Sequence, residues 1–283
     1  MIKKVVIPAA GLGTRLLPIT KEFPKEMLPV FFKKKSGKVC LKPMLQAVFE
    51  QLYTVRFREF CIIVGRGKRA IEDHFTPDWD FIEYLKDGNK VELADELQKF
   101  YNKIANSTMV FMSQPKPKGF GDAVYKGKPF TENQPFLLHA GDDLVFSKNN
   151  SHLKRMIKTF EQYDADVTFL VEKVEDPRKY GVIMGDKINS HVLRVKEVIE
   201  KPRKPPSNLA AIALYIFKPI IYEAIEEVKP DERGEVQLAD ALQVLIDWKC
   251  KLYALELRPG ERRIDIGTPE TYLEILKMSL ANV

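Results

Sequence analysis

Near its amino terminus the chain reads Val5-Val6-Ile7-Pro8-Ala9-Ala10-Gly11-Leu12-Gly13-Thr14-Arg15. The apolar run predicts a short strand, and two glycines follow it closely. Glycine reaches backbone conformations closed to other residues and lets peptide N–H groups approach an anion. Arg15 adds a guanidinium fork suited to phosphate oxygens. The stretch therefore predicts a strand followed by a loop that holds the phosphates of a nucleotide.

The spacing of this loop excludes two common phosphate motifs. No Gly-Lys-Ser/Thr follows it, so it is not a P-loop, and Leu16 stands in the place of the third glycine of a dinucleotide-binding Gly-x-Gly-x-x-Gly. A nicotinamide-dependent oxidoreductase is therefore disfavoured. A plain tight turn remains the alternative to a nucleotide loop.

A second cation follows in the string Pro24-Lys25-Glu26-Met27-Leu28-Pro29. Because the two prolines fix φ on either side, a lysine held there can return to the phosphates that Arg15 contacts. The alternative interpretation is a solvated surface lysine.

Composition limits the class of protein. The chain has 283 residues, of which 45% are apolar, enough for a substantial core in one domain. No apolar stretch approaches the ~18 residues of a membrane span, and no signal-peptide pattern is present, so we expect a soluble, cytoplasmic protein without a membrane partner. Three scattered cysteines argue against disulfides and zinc. The net charge of +6 is dispersed along the chain, so nucleic acid is not an expected partner.

The order of apolar patterns predicts the fold class. Strand-like runs at 5–7, 61–64, 108–112, 136–139 and 167–171 alternate with helix-period segments at 44–52, 93–104 and 153–160. This alternation predicts an α/β fold with a Rossmann-like, mostly parallel sheet and helices on both faces.

From Gly181 onward the pattern changes. Strand-like segments at 182–184, 192–199 and 210–217 predict a small, partly antiparallel section over the sheet edge. Helices at 220–228 and 236–248, a strand at 252–257 and a closing helix at 269–278 complete the chain, while basic residues in 32–38 indicate a hairpin-like insertion.

Carboxylates follow two of the predicted strands. Asp142 and Asp143 come directly after the strand at 136–139, and Asp265 precedes the closing helix. Ligands of open α/β sheets bind at the carboxyl ends of strands, and Mg²⁺ on a triphosphate is held by one or two carboxylates with phosphate oxygens and water. Asp142 and Asp265 are thus candidate metal ligands. Spacing alone equally allows an Asx turn and a charge at a helix N-terminus.

The four histidines show no metal spacing and no evident serine or cysteine partner. A nucleophilic triad is therefore not expected.

Together, Ala10-Gly11-x-Gly13-Thr14-Arg15 and the string from Pro24 to Pro29 resemble the signature of bacterial and archaeal UTP–glucose-1-phosphate uridylyltransferases. Thymidylyltransferases usually carry a second string closer to Ser-Lys-Gln-Leu-Leu-Pro, so Glu26 and Met27 favour the uridylyl branch. Matching pieces continue in the same order to the region of Asp265.

The resemblance implies roles for individual residues. Nucleotide contacts are implied for Ala10, Gly11, Gly13, Thr14, Glu26, Gln114 and Gly119, with Gln114 and the Gly119 backbone reading the base. Sugar-phosphate contacts are implied for Gly181, Glu200 and Lys201. Catalytic charge neutralisation is implied for Arg15, Lys25 and Lys201, and Mg²⁺ binding for Asp142 and Asp265, with Asp143 behind them.

The resemblance also implies the reaction: uridylyl transfer from UTP to glucose 1-phosphate, assisted by Mg²⁺, without a covalent enzyme intermediate. A single domain would span 1–283, with 1–175 mainly for the nucleotide and 176–283 mainly for the sugar phosphate. Relatives are commonly dimers or tetramers, so a homo-oligomer is implied as well.

Three departures from the family pattern keep alternatives open. Asp122 stands where many bacterial relatives have histidine, Ala213-Leu214 where they often have Gly-Arg, and the segment 265–270 is closer to thymidylyl and guanylyl relatives. A thymidylyltransferase, or an enzyme that accepts both UTP and dTTP, is the first alternative. A non-catalytic nucleotide-sugar sensor is the second.

Overall fold

The computed structural model describes residues 2–34 and 37–281, so Lys35 and Ser36 in the predicted insertion lie outside the described residues. The strands are β1 (Lys4–Ala9), β2 (Pro29–Lys33), β3 (Val39–Pro43), β4 (Glu59–Val64), β5 (Thr108–Ser113), β6 (Phe136–His139), β7 (Asp143–Phe146), β8 (Val167–Lys173), β9 (Gly181–Lys187), β10 (Val192–Glu200), β11 (Leu209–Phe217), β12 (Leu252–Glu256) and β13 (Arg262–Asp265).

The helices alternate with these strands as the apolar patterns predict. They are α1 (Met44–Thr54), α2 (Arg69–His74), α3 (Trp79–Asp87), α4 (Val91–Ala105), α5 (Phe120–Lys126), α6 (Lys128–Thr131), α7 (Ser151–Gln162), α8 (Ile221–Glu227), α9 (Leu238–Asp247) and α10 (Pro269–Ala281). Single 3-10 turns at Thr14–Leu16, Ile19–Lys21 and Lys25–Met27 fill the segment after β1. Within the described ranges, no helix is long and apolar enough to cross a membrane.

Nine strands form one mixed sheet in the order β5-β4-β1-β6-β11-β8-β12-β10-β9. The strands β5, β4, β1 and β6 are parallel, as predicted for the first half. The prediction of a mostly parallel sheet is wrong, because β11 runs antiparallel to both β6 and β8, and β10 antiparallel to both β12 and β9. Apolar runs mark buried strands but carry no direction, so the sequence could not distinguish the two.

The second half of the sheet is partly antiparallel, as predicted, with β8 and β12 parallel, but it is not a small section laid over the edge. It continues the main sheet and closes on itself, since β9 pairs with β11 through Ala210 and Val182. The five strands β8, β12, β10, β9 and β11 therefore form a closed ring.

Helices cover both faces of the sheet, as predicted. Along β1, Val5 and Ile7 belong to one buried cluster and Val6 to the other, since alternate side chains of a strand point to opposite faces. Helices α1, α4 and α7 pack on the first face, and α5, α8 and α9 on the second.

Two short antiparallel pairs lie outside the main sheet. Strands β2 and β3 form the hairpin that carries the basic insertion, and β7 pairs with β13. The second pair joins segments more than a hundred residues apart and positions two of the predicted metal ligands.

Candidate active site

The phosphate loop lies at the carboxyl end of β1, beside the end of β6. The backbone N–H of Gly141 donates to the carbonyl of Pro8 at 3.1 Å, which fixes the two strand ends together. Gly13 has φ +64°, a left-handed conformation that favours glycine. Its carbonyl accepts a hydrogen bond from Thr20 Oγ1 at 2.7 Å, which folds the loop back on itself.

Lys25 lies directly against this loop. Its Nζ donates to Oδ2 of Asp142 in an ion pair, and a Cβ built on Gly11 would lie 3.7 Å from its Cε. Burial lowers the pKa of Lys25, but the charges of Asp142 and Glu26 outweigh burial and hold it above its usual value. Lys25 is therefore a fixed positive charge between the loop and Asp142, not a solvated surface lysine.

Asp142 and Asp265 are brought together by β7 and β13. Asp143, the first residue of β7, pairs in register with Asp265, and the N–H of Ile266 donates to the carbonyl of Asp142 at 3.0 Å. A Cβ built on Gly267 would lie 3.5 Å from Oδ2 of Asp265 and 3.8 Å from Nη1 of Arg15. Arg15, Lys25, Asp142 and Asp265 thus surround one site.

Arg263 supports the carboxylates from inside the protein. Its Nε donates to both Asp143 oxygens at 2.8 and 3.0 Å, and Nη1 donates to Glu172 at 2.7 Å. Its Nη2 is 3.6 Å from Asp265 Oδ2. Asp143 is only 2% exposed, so it holds Arg263 and does not face a ligand.

The three aspartates share one electrostatic environment. Burial, followed by the charges of Asp142 and Asp143, raises the pKa of Asp265 to about 7. Burial acts on Asp142 in the same direction, but the ammonium of Lys25 outweighs it and holds the pKa of Asp142 below its usual value. The nearby cations therefore stabilise the charged form of Asp142 more than that of Asp265.

A divalent cation at this position would favour the charged form of Asp265. Among the described residues, no group of three or more His, Cys, Asp and Glu side chains has the arrangement of an all-protein metal site. Magnesium, however, is commonly held by only one or two carboxylates, with phosphate oxygens and waters completing its shell. Asp142 and Asp265 fit that kind of site.

The segment with Gln114 lies after β5. Gln114 is 5% exposed, and its Nε2 donates to the carbonyl of Gly119 at 3.2 Å and to Oδ2 of Asp122 at 2.7 Å. Gly119 has φ +97°, and a Cβ on it would lie 2.5 Å from the carbonyl oxygen of Val236. The sequence marked Gln114 and Gly119 but assigned no function to Asp122.

The predicted sugar-phosphate residues also cluster. A Cβ on Gly181 would lie 3.4 Å from Oε2 of Glu200, and Lys201 Nζ is 2.8 Å from Oε1 of Glu200. The guanidinium of Arg263 lies 5.8 Å from the ring centroid of Tyr180, the residue before Gly181. The segment that begins β9 therefore borders the aspartate cluster.

Glu26 is placed differently from the other predicted nucleotide residues. It is 1% exposed and accepts from Lys68 Nζ at 2.9 Å, behind Lys25. Lys68 and Arg66 follow β4 and line a cleft of about 210 Å³ together with Thr14 of the phosphate loop. Sequence reasoning missed both cations, although Gly65-Arg66-Gly67-Lys68 directly follows a predicted strand.

One expectation about the histidines is wrong. His152 has a serine partner, since its Nδ1 lies 2.6 Å from Ser147 Oγ. The pair does not form a nucleophilic site, because His152 is fully buried, and burial lowers its pKa to about 3. Ser147 lies just before α7, and its Oγ also accepts from the backbone N–H of His152 at 3.5 Å.

Comparisons with known proteins identify relatives along the whole chain. A family model described as "Nucleotidyl transferase" matches residues 4–282. A UTP–glucose-1-phosphate uridylyltransferase of Pseudomonas aeruginosa is 35% identical over 287 residues, covering 100% of this chain and 98% of the relative. A putative UTP–glucose-1-phosphate uridylyltransferase of Bacillus subtilis is 36% identical over 278 residues, covering 98% and 96%.

Solved structures with a similar fold include enzymes of the same kind. A crystal structure of a UDP-glucose pyrophosphorylase complexed with UDP-glucose matches with a TM-score of 0.84 and 33% identity, covering 100% of both chains.

Proposed function

Because the chain belongs to the nucleotidyl transferase family, we propose that it transfers a uridylyl group from UTP to glucose 1-phosphate and releases pyrophosphate. The resemblance to uridylyltransferases drawn from the sequence is confirmed by relatives that match it end to end. The chain is a nucleotidyltransferase, and the choice of UTP and glucose 1-phosphate follows the names of those relatives.

The observation that carries this function is the convergence of two cations with two carboxylates from distant parts of the chain. Lys25 pairs with Asp142, and Arg15 lies beside Asp265 at Gly267. A non-catalytic sensor has no need of such a charge-neutralising set, whereas nucleotidyl transfer crowds negative charge around one phosphorus.

The reaction needs no nucleophile from the protein. A phosphate oxygen of glucose 1-phosphate, already ionised at neutral pH, forms a bond to the α-phosphorus of UTP. The bond from that phosphorus to the bridging oxygen breaks, and its electron pair leaves with pyrophosphate. Catalysis then consists of alignment and charge stabilisation, supplied by Arg15 and Lys25 on the nucleotide side.

Mg²⁺ is the proposed cofactor, held by Asp142 and Asp265. When bound, it neutralises charge on the triphosphate. The raised pKa of Asp265 supports this assignment, since a third charge among neighbouring aspartates is costly until a cation joins them.

The sugar phosphate is assigned to Gly181, Glu200 and Lys201. Glu200 can accept hydrogen bonds from sugar hydroxyls, and Lys201, whose side chain is 55% exposed, can reach the 1-phosphate. We therefore keep 1–175 as the mainly nucleotide-binding part and 176–283 as the mainly sugar-phosphate-binding part of one domain. A homo-oligomer in the cytoplasm is proposed with it, and three free thiols suit that compartment.

The test is pyrophosphate release across a grid of substrates. UTP, dTTP, GTP, ATP and CTP are each combined with glucose, galactose and mannose 1-phosphates, with and without Mg²⁺. We expect the highest kcat/KM with UTP and glucose 1-phosphate and no turnover without the metal. A preference for dTTP would assign the chain to the thymidylyl branch, and binding of UDP-glucose without any turnover would identify a sensor.

A further inference from the structure

The amide group of Gln114 has both of its N–H bonds in use. Nε2 donates to the carbonyl of Gly119 at 3.2 Å and to Oδ2 of Asp122 at 2.7 Å. A primary amide has two donors on nitrogen and an acceptor oxygen. The polar atom that Gln114 can still offer a base is therefore its carbonyl oxygen Oε1.

Asp122 decides which way this amide faces. An ionised carboxylate only accepts hydrogen bonds, so Asp122 attracts the amide nitrogen and repels the amide oxygen. Asp122 lies in the first turn of α5, and its own side chain is 15% exposed, so it is held in place. The alternative amide orientation would set two acceptor oxygens against each other and leave the Gly119 carbonyl without its donor.

An acceptor oxygen distinguishes between pyrimidines. Uracil and thymine carry an N–H donor at ring position 3, whereas cytosine carries an unprotonated, accepting nitrogen there. Oε1 of Gln114 can pair with the first kind of base and is repelled by the second. If the amide turned around, its N–H would pair with cytosine instead.

We propose that Asp122 is a positioning residue that sets base preference: by accepting from Nε2 of Gln114, it fixes Oε1 as the group that reads the imide N–H of uracil and excludes cytosine. This rests on the proposed use of UTP. It gives a function to a residue that departs from the family pattern.

The test compares Asp122→Asn with Lys126→Ala. Asparagine can either accept or donate, so in Asp122→Asn the reversed Gln114 amide no longer meets a repelling carboxylate and loses only its bond to the Gly119 carbonyl. Lys126 forms an ion pair with Asp122, with Nζ 3.6 Å from Oδ1, so Lys126→Ala removes this helix ion pair and leaves the Gln114 contact intact. For each protein, kcat and KM are measured with UTP and with CTP at saturating glucose 1-phosphate.

In Asp122→Asn we expect the ratio of kcat/KM for CTP to that for UTP to rise about tenfold, as the loss of one charge-assisted hydrogen bond implies. The change should appear in the KM for the nucleotide more than in kcat, because Asp122 touches Gln114 and no reacting atom. Lys126→Ala should keep the wild-type ratio. Asp122→Ser, whose hydroxyl also donates or accepts, should shift the ratio in the same direction and serves if the asparagine variant fails to fold.

An unchanged CTP-to-UTP ratio in a folded Asp122 variant would overturn the proposal. An equal shift in Lys126→Ala would also overturn it, since the effect would then come from the helix and not from the amide. If the wild-type protein turns over no UTP, the proposed function itself fails, and that result is visible before any variant is made.

Discussion

Asp143 and Asp265 lie opposite each other in the antiparallel pair of β7 and β13. This register explains how a carboxylate near the middle of the chain meets one near its end. It also separates two tasks: Asp143 faces inward to Arg263, while its neighbour Asp142 faces Lys25. The short pair is therefore the element that assembles the proposed metal site.

Asp142→Asn should lower kcat by about a hundredfold or more, as the loss of a group that stabilises transition-state charge implies. The variant should fold, because an asparagine oxygen can still accept from Lys25. Pyrophosphate release is measured over a Mg²⁺ titration, and the variant should need more Mg²⁺ for half-maximal rate. Asp186→Asn, on an exposed acid paired with Lys196, is the control. Near-normal turnover of Asp142→Asn would remove Asp142 from the metal site.

Arg263→Met should destabilise the fold by about 3 to 5 kcal/mol, because it leaves Asp143 buried without a cation. Unfolding in urea, followed by circular dichroism, measures the loss. Arg262→Met is the matched control, since Arg262 is exposed on the same strand. Adding Asp143→Asn to Arg263→Met should recover part of the stability. Equal effects of the two arginine variants would contradict this account of the cluster.

Gly119→Ala and Gly260→Ala separate the cost of backbone strain from the cost of a steric clash. Both glycines have positive φ, +97° and +86°, but only Gly119 has atoms within reach of a new Cβ, with the Val236 carbonyl oxygen at 2.5 Å. Gly260→Ala should cost about 1 to 2 kcal/mol from backbone strain alone. Gly119→Ala should cost more and should also raise the KM for UTP, because it displaces the carbonyl that Gln114 contacts. A smaller loss at Gly119 than at Gly260 would show that Val236 moves away freely.

Lys201→Ala should raise the KM for glucose 1-phosphate by about tenfold, the effect of losing one charge-assisted hydrogen bond to a phosphate. The KM for UTP should change far less. Lys204, exposed in the following loop, provides the control variant Lys204→Ala. Initial rates with each substrate varied in turn give both constants. An effect confined to UTP would move Lys201 out of the sugar-phosphate site.

Stability should fall as the pH drops below about 6.5. Burial lowers the pKa of His74 and of His139 to about 4 and that of His152 to about 3, from an ordinary value of 6.5. Between pH 6.5 and these lowered pKa values, the histidines of the unfolded chain bind protons that the same histidines do not bind in the folded protein. The free energy of unfolding therefore decreases with falling pH, by about 1.4 kcal/mol per pH unit for each histidine. Asp265, whose pKa is raised to about 7, acts in the opposite direction and offsets the contribution of one histidine, so a net decrease remains.

Urea unfolding at pH 7.5 and 5.5 measures this slope. His152→Asn should reduce the difference between the two pH values, whatever its effect on stability at pH 7.5. An unchanged slope in that variant would show that His152 is not the group that takes up the proton.

Much of the fold was predictable because long apolar runs carry a clear period. Strands β1, β4, β5 and β6 and helices α1, α4 and α7 all lie where their patterns predict. Strand direction was not predictable, since the apolar run of β11 suits a parallel strand as well as the antiparallel one it forms.

The candidate site was predictable where residues follow a strand, as Arg15, Gln114 and Asp142 do. It was not predictable where a contact depends on register. Strand β13 has four residues, three of them charged, so no apolar pattern marks it, and neither Arg263 nor its bond to Asp143 could be anticipated. Lys68 was missed because its ammonium is buried against Glu26. Lysines are rarely buried, so a sequence pattern does not indicate this placement.

The pairing of β9 with β11 limits how the nine-stranded sheet can grow. Open sheet edges offer unpaired N–H and C=O groups to strands of other chains, which is a route to aggregation. In the described part of the chain, ring closure pairs the start of β9 with β11, and β5 is left as the terminal strand at the other end of the sheet. Intermolecular strand addition to this sheet can therefore begin on the outer side of β5, at the end of the sheet away from the ring.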